Sequence, residues 1–195
     1  MELALKYQQK CKIKYERYYI LKCDISKFFA NIDQERLKIK LERHIKDKEA
    51  LEIIFKIINN DEKGLSIGNM TSQVLAIFYL NDLDHFIKEK LKIKYYVRYQ
   101  DDFLLFHNSK QYLNYCLEQI KIFLDQEKLT LNKKSRIYSN NNNFIFLGRT
   151  KEGKYAKYKD SLKKLKRKKY LYKQKEIDLQ SIVSTIVCYK GLYTF

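Results

Sequence analysis

The sequence predicts an α+β fold: an antiparallel β-sheet with helices packed on one face, followed by a basic helical segment. Apolar and polar residues alternate over residues 18–25, as in a half-buried strand. Two β-rich runs, residues 94–99 and 103–106, flank a short acidic turn and predict a hairpin. Elsewhere apolar residues recur with helical spacing. With 195 residues, 45% of them hydrophobic, the chain can form one medium-sized domain around a core.

The first predicted strand carries an acidic residue near its end. Leu21, Cys23 and Ile25 alternate with Lys22 and Asp24, so Asp24 projects from one face of the strand.

Helices are predicted to follow this strand. Asp33 is a candidate N-cap for a helix whose apolar residues recur every four positions. Residues 51–58 form a second helix, which a polar turn at residues 59–64 ends. A third helix is predicted over residues 71–91, before the hairpin.

Beyond the hairpin, Ser109 is a candidate cap for another long helix. Residues 136–138 and 144–147 flank a run of asparagines and predict a second hairpin. Lysine then becomes dense over residues 157–175. We therefore predict a boundary near residue 158, which divides the chain into residues 1–157 and 158–195.

The charge of the chain indicates a polyanionic partner. Lys and Arg number 40 and Asp and Glu number 23, which gives a net charge of +17. A surplus of this size favours nucleic acid over a small neutral substrate. The basic run is interleaved with tyrosines, which suits a duplex groove, although such runs are usually solvated helix faces.

The cysteines and the hydropathy exclude other classes. The cysteines at positions 11, 23, 116 and 188 form no Cys-x-x-Cys pair, so they predict buried, reduced thiols rather than a zinc site or disulfide framework. The longest apolar stretch, residues 74–80, is far shorter than the ~20 residues of a membrane span. We expect a cytoplasmic protein with no membrane partner.

Three carboxylates are candidates for metal binding. Asp24 ends a strand, and Asp101 and Asp102 lie at the hairpin tip, so one sheet can bring them together. Mg²⁺ takes oxygen ligands and usually shares one or two carboxylates with substrate phosphates. The alternative is structural, because Asp is common in turns and at strand ends. Adjacent carboxylates between two apolar strands are nevertheless costly without a cation, which favours the metal site.

Five segments, in order and at suitable spacing, resemble the palm motifs of reverse transcriptases. They are residues 24–29 (Asp-Ile-Ser-Lys-Phe-Phe), 67–73 (Ile-Gly-Asn-Met-Thr-Ser-Gln), 99–102 (Tyr-Gln-Asp-Asp), 131–135 (Leu-Asn-Lys-Lys-Ser) and 146–148 (Phe-Leu-Gly). The second segment is most similar to diversity-generating retroelement enzymes, and less so to group II intron or retroviral relatives. The resemblance implies a polymerase palm over residues 1–157 and a partial thumb over residues 158–195.

This resemblance implies an RNA-directed DNA polymerase that uses two Mg²⁺ ions, with Mn²⁺ as an alternative. Asp24 and Asp101 are then metal ligands, with Asp102 beside them. The implied partners are an RNA template, a DNA or RNA primer and deoxynucleoside triphosphates.

The resemblance also implies roles in nucleotide binding. Phe29 is the expected steric gate against a 2′-hydroxyl, Ile67, Gly68 and Gln73 lie beside the incoming nucleotide and template base, and Lys134 lies near the triphosphate. From the residues alone, Phe29 is equally a core ring, Gly68 belongs to a helix-entry turn, and Lys134 is a solvated charge.

A further set of residues is expected to bind the primer and template. Arg98 lies beside the carboxylates as a partner for them or for primer phosphate. The set consists of Arg98, Tyr99, the primer-grip residues Phe146, Leu147 and Gly148, and the basic-run residues Lys163, Lys164, Lys166 and Lys168.

The resemblance lacks two parts of the family's architecture. Only 23 residues precede Asp24, so most of the fingers region is expected to be absent. About two thumb helices remain. We therefore also expect an accessory protein or a separately encoded fingers segment as a partner. The alternatives are a truncated, non-catalytic RNA-binding palm and a maturase-like helper.

Overall fold

The computed structural model describes residues 1–59, 62–153 and 158–193, with the backbone alone at 158–162 and 188–193. Residues 60 and 61 of the predicted turn, and residue 157 of the basic run, lie outside the described residues. The described elements are, in chain order, α1 (Glu2–Lys14), β1 (Tyr19–Asp24), α2 (Phe28–Asn31), α3 (Gln34–His44), α4 (Lys48–Asn59), α5 (Met70–Tyr79), α6 (Asn81–His85), a π-helical turn (Phe86–Lys90), β2 (Tyr95–Tyr99), β3 (Asp102–His107), α7 (Lys110–Gln126), β4 (Arg136–Ser139), β5 (Ile145–Phe146), β6 (Arg149–Thr150), α8 (Tyr158–Lys173) and α9 (Leu179–Tyr193).

The chain divides into two compact units, residues 2–142 and residues 143 onward. This division comes before the compositional change near residue 158, because the short β5–β6 hairpin belongs to the second unit. The assignment of residues 1–157 to a palm and 158–195 to a partial thumb stays a prediction.

The first unit is built on an antiparallel sheet, which confirms the predicted α+β fold. Its strand order is β2-β3-β1-β4. On one face, Leu21 and Cys23 of β1 lie opposite Leu105 and Phe103 of β3, and all four side chains are buried. They share one hydrophobic cluster with the buried face of α7, which includes Cys116. This core fixes the register of the two central strands.

The other face of the sheet is partly covered by α1, which the sequence did not predict. The rings of Tyr7 and Tyr95 lie 5.5 Å apart, centroid to centroid. The residues of α1 that are buried, Ala4 and Cys11, are seven positions apart. So sparse an apolar pattern gave no helical signal, and α1 adds a helix on the second face to those predicted on the first.

Two predicted helix caps are confirmed, and one predicted helix is interrupted. Asp33 Oδ1 accepts the backbone N–H of Arg36 at 2.9 Å, and Ser109 Oγ accepts that of Tyr112 at 3.2 Å. The helix predicted over residues 71–91 is interrupted at Leu80, which separates α5 from α6, and α6 continues directly into the π-helical turn. The N–H of Leu80 bonds to the nearby carbonyl of Phe78, so the regular α-helical hydrogen-bond pattern ends there.

The predicted second hairpin is wrong. β4 pairs with the sheet strand β1, whereas β5 pairs with β6. Leu147 and Gly148 form the turn between β5 and β6, and both have positive φ, at 50° and 73°. A two-residue turn with positive φ matches strand twist, so the hairpin forms there rather than across the asparagines.

Three cysteines are buried free thiols, as predicted, and burial raises the pKa of Cys11 and Cys116 to about 11. The side chain of Cys188 lies outside the described residues. Within the described ranges, no helix is long and apolar enough to cross a membrane.

We predict that Asp33→Ala lowers the free energy of unfolding by about 1 kcal/mol at pH 7, because the N-cap of α3 is lost. A hydrogen bond from Lys128 and the N–H of Arg36 hold the pKa of Asp33 below its usual value. The contribution of Asp33 to the free energy of unfolding is therefore present above its unfolded-state pKa and is lost as pH falls through its folded-state pKa. Urea unfolding at pH 7 and at about pH 2 measures this difference. Asp33→Asn, which keeps an acceptor oxygen, is the matched control, and equal losses in both variants would contradict the capping role.

Candidate active site

Asp24 and Asp102 lie directly opposite each other across β1 and β3. Directly opposed residues of an antiparallel pair project from the same face of the sheet. This is the face opposite the main core, because the neighbouring pair, Cys23 and Phe103, is buried in that core. The sheet therefore brings two of the three predicted carboxylates together.

Asp101 lies in the adjoining hairpin loop. The loop consists of Gln100 and Asp101, and Gln100 has a positive φ of 53°. The N–H of Ile25 donates to the carbonyl oxygen of Asp101 at 3.1 Å, which ties the loop to the end of β1. Tyr99, 58% exposed, lies opposite Asp102 on the other side of the turn.

Two carboxylates at this edge, Asp101 and Asp102, have a pKa above the usual value. Burial and the charge of Asp24 raise the pKa of Asp101. Burial, opposed by Lys22 but reinforced by Asp24, raises the pKa of Asp102 to about 6. Lys22 Nζ lies 3.5 Å from Asp102 Oδ2. The edge thus concentrates negative charge that a cation would neutralise.

The donor set fits a divalent metal ion that also takes oxygen atoms from elsewhere. Oδ1 of Asp102 is buried and has no hydrogen-bond partner in the described part of the chain. Among the same residues, no group of three or more His, Cys, Asp or Glu side chains is arranged to hold a metal by itself. Mg²⁺ commonly binds one or two carboxylates together with substrate phosphates and water. The resemblance implies Asp24 and Asp101 as ligands with Asp102 beside them, and the register places Asp102 directly opposite Asp24, so all three carboxylates would be available as protein ligands.

The segment at residues 131–135 fixes the backbone of Asp24. The N–H of Asn132 donates to the carbonyl of Asp24 at 2.7 Å, and the N–H of Asp24 donates to Ser135 Oγ at 3.2 Å. Lys134 is exposed in the same segment, and its N–H donates to Asn132 Oδ1 at 3.1 Å. The supporting roles of Asn132 and Ser135 were not predicted, because no strand pattern joins them to Asp24.

Adjacent phenylalanines after Asp24 have different environments. Phe28 is buried, whereas Phe29 is partly buried and packs against the core, with ring centroids 5.7 Å apart. The N–H of Leu65 donates to the carbonyl of Phe29 at 2.8 Å, and a Cβ on Gly64 would overlap that carbonyl oxygen. The backbone of Phe29 is therefore fixed by a hydrogen bond and close packing, whereas its ring is partly exposed.

The segment at residues 67–73 is open to solvent. Ile67 is 85% exposed, and Gly68 has a φ of 108° with no described atom within 4 Å of the position of a Cβ. Gln73 is exposed and lines a cleft of about 440 Å³ together with Tyr99 and Gln100. Three predicted nucleic-acid-binding residues, Gln73, Arg98 and Tyr99, thus line one cleft.

Arg98 has a different partner from those predicted. It lies opposite Phe103, on the face of the sheet away from Asp102. Its Nε donates to Asp84 Oδ1 at 2.8 Å, a second nitrogen pairs with Asp84 Oδ2, and its side chain is 7% exposed. The hydroxyl of Tyr96 also donates to Asp84 Oδ1, at 2.6 Å. Arg98 therefore forms a largely buried ion pair on the face away from Asp102, and it also donates to the carbonyl of Gln100 at 3.1 Å.

The predicted primer-grip residues lie in the second unit. Phe146 is fully buried in β5, and Leu147 and Gly148 form the β5–β6 turn. The structure therefore places a core ring and a tight turn at these positions.

The basic helix α8 presents its lysines in two ways. Lys163, Lys164 and Lys166 are exposed, as a binding surface requires. Lys168 instead turns toward α9, where its Nζ donates to Ser181 O, Ser181 Oγ and Thr185 Oγ1 at 3.1, 3.0 and 2.8 Å. Its predicted role in primer and template binding is corrected to a helix-pairing role, because these oxygens use all three of its donors.

A sequence profile of the family described as reverse transcriptase (RNA-dependent DNA polymerase) matches residues 2–151. No curated protein matches the sequence.

Solved structures with a similar fold include telomerases. Telomerase from Candida tropicalis with a TWJ fragment of telomeric RNA has a TM-score of 0.63 at 15% identity, covering 85% of this chain and 36% of that one. Telomerase from Candida albicans with a TWJ fragment of telomeric RNA has a TM-score of 0.61 at 15% identity, covering 76% and 32%. At this identity the likeness concerns the fold. The chain spans about a third of the length of these telomerase chains.

We predict that Arg98→Met lowers the free energy of unfolding by about 2–3 kcal/mol, because Asp84 loses its charged partner in a partly buried site. The exposed Arg43→Met is the matched control and should change stability by less than about 0.5 kcal/mol. Chemical denaturation measures both variants. A loss for Arg98→Met no larger than that of the control would contradict the structural role of the ion pair.

Proposed function

The chain belongs to the reverse transcriptase (RNA-dependent DNA polymerase) family, and on that premise we propose that it acts as the palm of an RNA-directed DNA polymerase. In this proposal it extends a primer with deoxynucleotides by two-metal phosphoryl transfer. The observation that carries the proposal is the pairing of Asp24 with Asp102, with Asp101 in the adjoining loop.

The residues of the site have separate tasks in this reaction. Asp24, Asp101 and Asp102 would together hold Mg²⁺ or Mn²⁺. Bound metal supplies activation of the primer 3′-hydroxyl and neutralises charge on the departing pyrophosphate. The hydrogen bonds from Asn132 and to Ser135 keep Asp24 in place, so that catalysis depends on positioning and electrostatics.

The nucleotide is proposed to bind between two open segments. Phe29, whose carbonyl accepts a hydrogen bond from Leu65, is the candidate steric gate. Ile67, Gly68 and Gln73 are the candidate contacts to the nucleotide and template base, and their exposure supports this. Lys134 is the candidate cation for the triphosphate, because its segment is bonded to Asp24.

RNA is the proposed template. The net charge of +17 supports a polyanionic partner, and the telomerases of similar fold were solved with telomeric RNA. Within the family, the Ile-Gly-x-x-x-Ser-Gln form of residues 67–73 supports a diversity-generating retroelement type. An accessory protein or a separately encoded fingers segment is a further proposed partner.

We predict that Asp101→Asn abolishes magnesium-dependent deoxynucleotide incorporation on a primed RNA template, with a loss of at least about a hundredfold. The amide keeps the shape of the side chain and loses the charge. The fold should persist, since burial and Asp24 already disfavour the charged form of Asp101. Primer extension and thermal unfolding measure the two effects.

The control is Asp125→Asn, an exposed carboxylate on α7, which should keep full incorporation. Undiminished incorporation by Asp101→Asn would refute its role. Absence of incorporation by the parent chain, with RNA binding retained, would favour the non-catalytic RNA-binding alternative.

We predict that the exposed lysines of α8 contact the phosphates of a primer–template duplex. Replacing Lys163, Lys164 and Lys166 together by Gln should flatten the slope of log binding constant against log salt by up to about three units, one for each lost contact. Fluorescence anisotropy over a salt series measures the slope. Lys168→Gln is the matched control, because its ammonium is bonded to α9. Equal slopes for the parent and the triple variant would contradict the proposed contact.

A further inference from the structure

Lys22 lies beside the paired carboxylates and has no role in the motifs described above. It precedes Asp24 by two residues on β1 and so projects from the same face of the sheet. Its Nζ lies 3.5 Å from Asp102 Oδ2, and the Lys22 and Asp102 side chains are 22% and 19% exposed. The other oxygen, Oδ1, is the one that finds no hydrogen-bond partner in the described residues.

The strand register directs Lys22 toward the carboxylates. Its opposite neighbour on β3 is the apolar Leu104, and its opposite neighbour on β4 is the cationic Arg136. Like charges directly opposite each other across strands repel. The guanidinium of Arg136 is meanwhile held over Tyr138, with Nε donating to the hydroxyl at 2.8 Å. The ion pair with Asp102 Oδ2 lies toward the end of β1, away from Arg136.

We propose that Lys22 is a positioning residue that holds Asp102 in the metal-free chain and competes with the divalent ion for it. The inference rests on the proposed function, because it concerns the same carboxylates. An ammonium and a metal ion attract the same carboxylate, and each weakens the attraction of the other. Lys22 thereby keeps the two opposed carboxylates ordered before metal arrives, and it raises the metal concentration that the site requires.

The test is a titration of the full chain with Mn²⁺ alone, followed by electron paramagnetic resonance at constant ionic strength. Lys22→Met keeps most of the aliphatic stem and removes the charge, and we expect its dissociation constant for Mn²⁺ to be at least about threefold lower than that of the parent. Lys22→Arg keeps the charge and should remain close to the parent. Lys56→Met removes an exposed charge from α4 and should also leave Mn²⁺ binding unchanged.

A double-mutant cycle locates the effect. In an Asp102→Asn background, Lys22→Met should no longer tighten Mn²⁺ binding, because the shared carboxylate is gone. Thermal unfolding checks that each variant is folded, and Lys22→Gln repeats the measurement with a polar side chain.

The outcomes separate this inference from the proposed function. Equal or weaker Mn²⁺ binding by both Lys22→Met and Lys22→Gln, with parent binding that Asp24→Asn abolishes, overturns the role of Lys22 alone. Absence of Mn²⁺ binding in the parent and in every variant overturns both the inference and the metal site of the proposed function.

Discussion

The direct opposition of two carboxylates across the central strands is the constraint on which the site depends. Asp24 and Asp102 project from the same face, and burial together with the charge of Asp24 raises the pKa of Asp102 to about 6, although Lys22 opposes this rise. The core on the other face, through Cys23 and Phe103, prevents relief by a shift in register. A one-residue slip of β1 would turn Asp24 into that core. A cation is therefore favoured at this edge, and the ammonium of Lys22 lies close enough to Asp102 to supply one.

Much of the fold follows from local patterns in the sequence, and the exceptions have physical causes. The alternation of apolar and polar residues predicted β1. The caps at Asp33 and Ser109 could also be predicted, because a capping side chain bonds to the first turn of its own helix. The helix α1 was missed because few of its residues are buried. The pairing of β4 with β1 was missed because it joins strands that are distant in sequence and depends on tertiary packing. A hairpin is easier to predict, because its turn residues lie between its two strands.

The acidic residues of the site were easier to predict than the basic ones. Unpaired carboxylates between apolar strands are energetically costly, so the presence of Asp101 and Asp102 there already indicates a cation site from sequence. Basic residues are common in this chain, at 40 of 195, so residue type does not say whether a side chain has an internal partner. Arg98 bonds to Asp84 and Lys168 to α9, and both partners lie on other elements. Local sequence could not reveal either contact.

The most direct test of the account is crystallography of the chain with Mn²⁺, a primer–template duplex and a non-incorporable deoxynucleotide, with Mn²⁺ located by its anomalous scattering. We predict a peak at roughly 2–2.3 Å from oxygen atoms of both Asp24 and Asp102, with the ammonium of Lys22 withdrawn from Asp102. Nucleic acid bound with no anomalous peak at these carboxylates, and with Lys22 still paired to Asp102, would contradict it.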